Sequence, residues 1–530
     1  MKKTIAALAL GASALSLSLP SQALAQSDDK KQGSLYLRCD GEPNNMTGGE
    51  SFARFLGAVT LLGLFAPAPE EPDPSKRLFA EEGVDACSQL IDGEKAEGNA
   101  VRRIPLILAR ALHQIEAKNP AAALEDVARA REEAIAAALV GNAYFDRTMG
   151  LSFTKIEAEA HLRMGNPAQA RDVALAPIDG MQYSFVPMGI VNDFGDFNQD
   201  FPPAAERKFA ASARILPSFL NTYASRLEQV GRFSDAAQKR EALIDVIEGI
   251  NPDDIMSGIY ARSALSFALA GEWDRANERA AFARGNLASR RAEGKPEDDA
   301  ARTIEVLDLY DIVKLADEGD VAIARRNFAA RSQWVEPSFG AIMEVNRRLR
   351  EGASEEEVFG SLTKSPDEMW QQRYDERLAV KLQKDTDNES LFSLVQSYAD
   401  VSDFEGRTKN TWRVEKKSKM MSKEANDDGM WTIFASGDLS SGIDSIMLHA
   451  ALQAKQRGND GFTMWLRLPY RYQGYYLPSS GSVRFLNRDD PLANEVLFIP
   501  ADDVIAELRE VIPDPEQLKL RKNSRKKKKR

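Results

Sequence analysis

Apolar residues between about residue 101 and residue 335 recur with the spacing of amphipathic helices, interrupted by short polar breaks. Five windows of 13 residues in this stretch align without gaps, and each opens with a turn residue, which is Gly in four of the five. The windows begin at Lys118, Gly165, Gly231, Gly271 and Gly319. Since Gly readily adopts the left-handed conformation that ends a helix, we predict a helical hairpin around each turn.

Small residues flank each turn at fixed distances. The sixth residue of every window is an alanine, and the residue seven positions before each turn is an alanine in four units and Ile312 in the last. These repeat-packing alanines are Ala111, Ala123, Ala158, Ala170, Ala224, Ala236, Ala264, Ala276 and Ala324. Small side chains allow two helix axes to approach closely, so we predict that these alanines pack the two helices of each hairpin together.

The Gly turns and paired alanines resemble the tetratricopeptide repeat family over about residues 101–335. The turn-to-turn spacings are 47, 66, 40 and 48 residues, whereas the family's unit has about 34. The Leu-Gly-x-x-Tyr run of a consensus first helix is missing, so the repeats are divergent and their number stays open by one or two. The resemblance implies a mainly α fold, a tetratricopeptide-like α-solenoid of helical hairpins whose groove binds a protein or peptide.

The longest interval between turns contains an insertion at residues 179–207. Its aromatic residues are candidates for partner binding: Tyr183, Phe185, Phe194, Phe197 and Phe201. One interpretation is that these rings pack a long loop back on the scaffold. The other is a partner-binding loop, because insertions in helical repeats tend to map to one face.

From about residue 401 the composition shifts toward aromatic and β-branched residues, which predicts a small α+β domain. The pattern predicts strands at 411–421, 431–435, 461–468 and 482–486, and helices at 443–457 and 501–511. The stretches 444–464 and 499–513 resemble small alphaproteobacterial envelope lipoprotein domains of unknown function, although the acylated Cys of those lipoproteins is absent. An aromatic and basic cluster in this part either packs as a hairpin tip or stacks on a sugar or peptide; it comprises Arg467, Tyr470, Arg471, Tyr472, Tyr475 and Tyr476.

The N-terminus predicts export. Lys2 and Lys3 precede a short apolar run, and Ala23-Leu24-Ala25 gives the small-x-small pattern of a signal-peptide cleavage site. The run is shorter than the roughly 20 residues that a membrane span needs. We therefore predict cleavage after Ala25 and a periplasmic mature chain without a lipid anchor or transmembrane helix.

Cys39 and Cys87 are the only cysteines in the chain. Disulfides form in the oxidising cell envelope, so we predict a bridge between them, with two free buried thiols as the alternative. The surrounding N-terminal cap is expected to start with a strand-like stretch at residues 34–37.

Composition narrows the possible functions. The chain has 69 Lys and Arg against 80 Asp and Glu, a net charge of −11, which argues against nucleic acid as a partner. Three His and two Cys leave little material for a zinc site or a Cys/His nucleophile, and the sequence contains no phosphate-binding loop, H-E-x-x-H helix or G-x-S-x-G elbow. We expect no enzymatic activity, cofactor, metal site or catalytic residue.

These patterns together predict an exported, non-catalytic, protein-binding scaffold of the periplasm that uses a helical-repeat groove. The alternative is an envelope hydrolase or saccharide-binding protein with its site in the C-terminal domain. The nine basic residues within 519–530 form either a solvated tail or an electrostatic contact with an anionic envelope surface. The predicted organisation is a signal peptide (1–25), an N-terminal cap with the candidate disulfide (26–100), helical repeats (101–335), a charged helical connector (336–400), an α+β domain (401–515) and a disordered basic tail (516–530).

Overall fold

The computed structural model describes residues 33–44, 70–94, 96–194, 198–250, 256–335, 338–384, 388–398, 413–416, 430–435, 439–467, 470–472, 475–477 and 479–512. Over these ranges the chain is mainly helical, with a small antiparallel sheet near the C-terminus. No helix in the described ranges is long and apolar enough to cross a membrane. The predicted signal peptide and basic tail lie outside the described residues.

The helices are α1 (Leu35–Asp40), α2 (Ala80–Asp92), α3 (Ala100–Glu116), α4 (Pro120–Ala136), α5 (Ala143–Asp146), α6 (Met149–Arg163), α7 (Pro167–Leu175), α8 (Phe185–Phe194), α9 (Pro203–Ile215), α10 (Leu220–Gln229), α11 (Phe233–Ile250), α12 (Ser257–Leu269), α13 (Trp273–Ala292), α14 (Ala300–Asp317), α15 (Val321–Ala330), α16 (Phe339–Arg350), α17 (Pro366–Lys384), α18 (Asn388–Phe392), α19 (Leu439–Gln456) and α20 (Ala501–Leu508). The strands are β1 (Arg413–Lys416), β2 (Met430–Ala435), β3 (Gly461–Arg467), β4 (Tyr470–Tyr472), β5 (Tyr475–Leu477), β6 (Ser479–Leu486) and β7 (Ile499–Pro500).

Each of the five predicted turns joins two helices, as α3–α4, α6–α7, α10–α11, α12–α13 and α14–α15. The turn residues all have positive φ: 62° at Lys118, 77° at Gly165 and Gly231, 78° at Gly271 and 97° at Gly319. In the fourth turn the N–H of Gly271 donates to the Ala268 carbonyl at 3.0 Å and that of Glu272 to Phe267 at 2.9 Å. This pair of bonds satisfies two carbonyls at the helix end, and the predicted helix–turn–helix units are confirmed.

The repeat-packing alanines all lie in the interior. None of the nine is more than 1% exposed, and Ile312, which replaces the alanine in the last unit, is 2% exposed. In the fourth hairpin, Ala264 of α12 and Ala276 of α13 belong to the same apolar core as Phe267 and Tyr310. The paired alanines therefore contribute to the helix packing that the sequence predicts.

The N-terminal cap contains the predicted disulfide, Cys39–Cys87, with its Cα atoms 4.8 Å apart and both residues buried. The strand prediction at 34–37 is wrong, because these residues enter α1. The Ser34 hydroxyl accepts a hydrogen bond from the N–H of Leu37 at 3.3 Å, and Gly41 ends the helix at φ 81°. Caps at both ends stabilise this short helix.

The connector contains helices α16 and α17, as its charged helical pattern predicts, and then returns to the first hairpin. Leu391 and Phe392 of α18 are buried in one core with Cys39 and Cys87. His113 of α3 lies in the same region: its Nε2 is 2.8 Å from the Cys39 carbonyl oxygen, and its ring centroid is 5.0 Å from that of Phe392.

The C-terminal sheet has the strand order β1-β2-β6-β3-β7, with all described pairs antiparallel. Helix α19 covers one face, where a Cβ on Gly481 would come within 2.8 Å of the Ile446 side chain. The predicted strands correspond to β1, β2, β3 and β6 and the predicted helices to α19 and α20, although the first strand is described only over Arg413–Lys416. A small antiparallel sheet near the C-terminus is thus present, as the sequence predicts.

Candidate functional site: a cleft between the helical array and the sheet

The aromatic residues of the insertion are packed inside the protein. Tyr183, Phe194 and Phe201 are 6%, 1% and 9% exposed, and Phe185 is half-buried. Phe194 lies in a core with α6 and α7, and the Phe201 ring centroid is 5.2 Å from that of Phe209. The described rings therefore form no exposed surface for a partner in this structure. This arrangement agrees with the interpretation that the rings pack the insertion against the scaffold. Phe197 lies outside the described residues.

Residues at the start of the insertion form hydrogen bonds that connect the C-terminal domain to the helices. The Glu507 carboxylate accepts hydrogen bonds from the backbone N–H of Tyr183 at 3.1 and 3.2 Å. Asp444, in the second turn of α19, accepts one from the N–H of Phe185 at 2.9 Å. Arg147 lies 3.4 Å from Glu507. Burial raises the pKa of Asp444 to about 7 and also raises that of Glu507, although Arg147 opposes both shifts.

With the C-terminal domain held by these contacts, one face of the sheet is directed toward helix α11. Strand register places Met430, Arg484 and Thr463 side by side, and the next row of the same face contains Thr432, Ser482 and Trp465. Side chains alternate between the faces of a sheet, so this row pattern separates a polar face from the apolar face under α19. The polar face is the floor of the candidate cleft.

The cleft has a volume of about 660 Å³. Its floor is the polar sheet face, one wall is the C-terminal half of α11, and the rim is the segment after β6. The lining residues that carry its chemistry are Asp245 and Glu248 of α11 with Thr463, Trp465, Ser482 and Arg484 of the sheet. A mixture of apolar surface and a few convergent polar groups in a cavity of this size is typical of binding sites.

The α11 wall carries negative charge. Partial burial raises the pKa of Asp245, and the neighbouring Glu241 and Glu248 raise it further, against the attraction of Arg279. Glu241 is held by the Arg279 guanidinium, with Nε 3.1 Å from each carboxylate oxygen, and Glu248 accepts a hydrogen bond from the hydroxyl of Tyr260. Asp245 makes no hydrogen bond or ion pair with any residue that the structure describes. Asp245 is one of the residues that line the cleft.

The tyrosine cluster of the sequence lies elsewhere. Its backbone forms the hairpin β4–β5, with Tyr472 paired to Tyr475, as the hairpin interpretation predicts. The hairpin follows Arg467 at the end of β3, whereas the cleft uses Thr463 and Trp465. The side chains of the hairpin are outside the described part of the structure, so their predicted contacts stay a prediction.

Within the described ranges no group of three or more His, Cys, Asp or Glu residues is arranged to hold a metal ion. In comparisons with known proteins, no family model, curated protein or solved structure matches this chain. The resemblances to tetratricopeptide repeats and to lipoprotein domains gain no support there and stay predictions.

Sequence reasoning missed the residues of the cleft. Two signals are present in the sequence: acids at Glu241, Asp245 and Glu248 share one face of a helix, and polar Thr463 alternates with apolar neighbours along a strand. Neither signal shows that the helix faces the strand, because more than 200 residues separate them.

Proposed function

We propose that this protein is an exported, non-catalytic scaffold of the periplasm that holds a segment of a partner protein in the cleft between α11 and the C-terminal sheet. The observation that carries the proposal is the cavity between the polar face of the sheet and a carboxylate-bearing helix. In this proposal the hairpins stack as a divergent tetratricopeptide-like solenoid, and the third hairpin supplies the binding wall.

A polypeptide suits the lining of the cleft. Thr463 offers a hydroxyl group to peptide N–H and C=O groups, and Trp465 offers a flat apolar surface to a side chain. The aromatic insertion has a different role from an anchor for the partner: it positions the sheet against the helices and so forms the cleft. The binding site therefore moves from the repeat groove alone to the junction of the two parts.

Photo-crosslinking in the native envelope tests this proposal. A benzoylphenylalanine replaces Val246, which lines the cleft, and in the control it replaces Ile135, which is 60% exposed on α4. We expect discrete protein adducts from position 246 and none of the same size from position 135. Equal adducts at both positions, or none at 246 in a chain with unchanged melting temperature, contradict the proposal.

The rival function is a saccharide-binding or hydrolytic role, and Asp245, Glu248 and Trp465 are residue types that also recognise sugars. Position 246 separates the two functions, because a glycan ligand gives adducts that glycosidases remove and proteases do not. N-terminal sequencing of the same preparation tests export: Gln26 as the first residue supports it and Met1 contradicts it.

A further inference from the structure

The structure contains an internal example of how α11 binds a cation. Arg279 lies between the Glu241 carboxylate and the Tyr260 ring, with its guanidinium carbon 5.7 Å from the ring centroid. A carboxylate and an aromatic face together bind a cation by charge and by the ring quadrupole. One turn further along the same helix, Asp245 repeats the carboxylate.

The cleft provides the remaining parts of such an arrangement. Trp465 supplies an aromatic surface from the floor, and Met430 and Leu492 supply apolar surface for an aliphatic stem. Among the residues that the structure describes, the charged lining consists of two acids, Asp245 and Glu248, and one base, Arg484. The described lining of the cleft is thus net negative, and Arg279, the cation that acts on Asp245, is already bound to Glu241.

We propose that the cleft selects its partner segment by a lysine or arginine side chain, which inserts its cationic head between Asp245 and Trp465. This inference rests on the proposed function. The aliphatic stem of either side chain packs on the apolar lining while the head reaches the carboxylates.

The test uses the chain 26–530 and four labelled decapeptides that are identical except for a central Lys, Arg, norleucine or Glu. Norleucine preserves the aliphatic stem of lysine and lacks the charge. By fluorescence anisotropy we expect the Lys and Arg peptides to bind about tenfold more tightly than the norleucine peptide, with a preference that weakens as salt is added.

Two double variants make the test specific. D245N/E248Q should abolish the preference for Lys and Arg while leaving the affinity for the norleucine peptide unchanged, because the amides keep the shape of the wall. D317N/E318Q makes the same charge change at exposed positions on and beside α14 and should leave the preference intact.

Equal affinities for the Lys and norleucine peptides, an unchanged preference in D245N/E248Q, or no binding of any peptide at millimolar concentration would each overturn the inference. Crosslinked protein at position 246 without a Lys or Arg preference defeats the inference and leaves the proposed function standing. Absence of protein adducts at 246 defeats the proposed function itself.

Discussion

At the scale of single residues, the five turns all end a helix with a residue of positive φ, but they do not all use the same residue type. Four use Gly, and the first uses Lys118 at φ 62°. The left-handed region costs a residue with a Cβ roughly 1 kcal/mol or more, whereas Gly enters it readily. The first hairpin therefore carries a strain that the other four lack.

Lys118→Gly should relieve that strain. We expect the free energy of unfolding to rise by about 0.5–1 kcal/mol, the balance of the relieved strain and the extra entropy of Gly in the unfolded chain. The matched variant is Gly271→Ala, where nothing lies within 4 Å of the added Cβ, and it should lower stability by about 1 kcal/mol. Urea denaturation measures both. Changes of the same sign in the two variants would contradict the argument.

At the scale of the helix pair, the buried alanines fix how closely the two helices of a hairpin approach. Ala276 is fully buried on α13, whereas Ala281 on the same helix is exposed. Ala276→Leu should lower the free energy of unfolding by about 1–3 kcal/mol through overpacking. Ala281→Leu adds the same atoms and should change stability by less than about 0.5 kcal/mol. Equal effects on the melting temperature would show that the position of the alanine does not matter.

The disulfide stabilises another pair of elements, α1 and α2. It closes a loop of 48 residues, for which the chain-entropy account gives roughly 3–4 kcal/mol. Reduction should lower the melting temperature and increase the intact mass by two hydrogens. A Cys39→Ala/Cys87→Ala variant is the control, because reductant should leave its melting temperature unchanged. Thiols that react with an alkylating reagent in the unreduced native protein would contradict the bridge.

The elements that the sequence predicts well are those with local causes. A Gly turn, an alanine at a fixed offset and an alternating strand are each read within about 15 residues, and all five turns are found where predicted. The strand prediction at 34–37 failed because a serine cap and a glycine end a helix of only six residues. The contacts of the aromatic insertion could not be predicted from the sequence, because the contacting residues are far apart along the chain. Phe185 and Asp444 are 259 positions apart, and Tyr183 and Glu507 are 324 apart.

At the scale of the whole molecule, the polar contact between insertion and C-terminal domain makes stability depend on pH. The groups that face Asp444 are Arg147, Ser184, Glu507 and the N–H of Phe185. Burial raises the pKa of Asp444 from 3.8 to about 7, so the folded protein retains a proton that the unfolded chain releases between these values. The contribution of this group is therefore most favourable at acidic pH and is lost as the pH rises through 7.

Asp444→Asn should remove this dependence, because the amide oxygen still accepts from Phe185 and carries no charge. We expect the wild-type protein to lose roughly 1–3 kcal/mol relative to the variant between pH 5 and pH 8, measured by denaturation at each pH. Asp489→Asn changes the same charge at an exposed turn and should leave the wild-type pH profile unchanged. Parallel profiles for wild type and Asp444→Asn would place the pH sensitivity in another group.

The surface that receives the C-terminal domain also has a consequence for the order in which the chain folds. Tyr183, Met188 and Ile215 share one core with α19, β3 and β6, yet these partners are synthesised more than 200 residues later. Until the last strands have been synthesised, the apolar surface that includes these three residues is exposed to solvent. A chain that stops before residue 439 keeps that surface exposed permanently, and it should form helix normally while aggregating and binding chaperones that recognise exposed apolar surface.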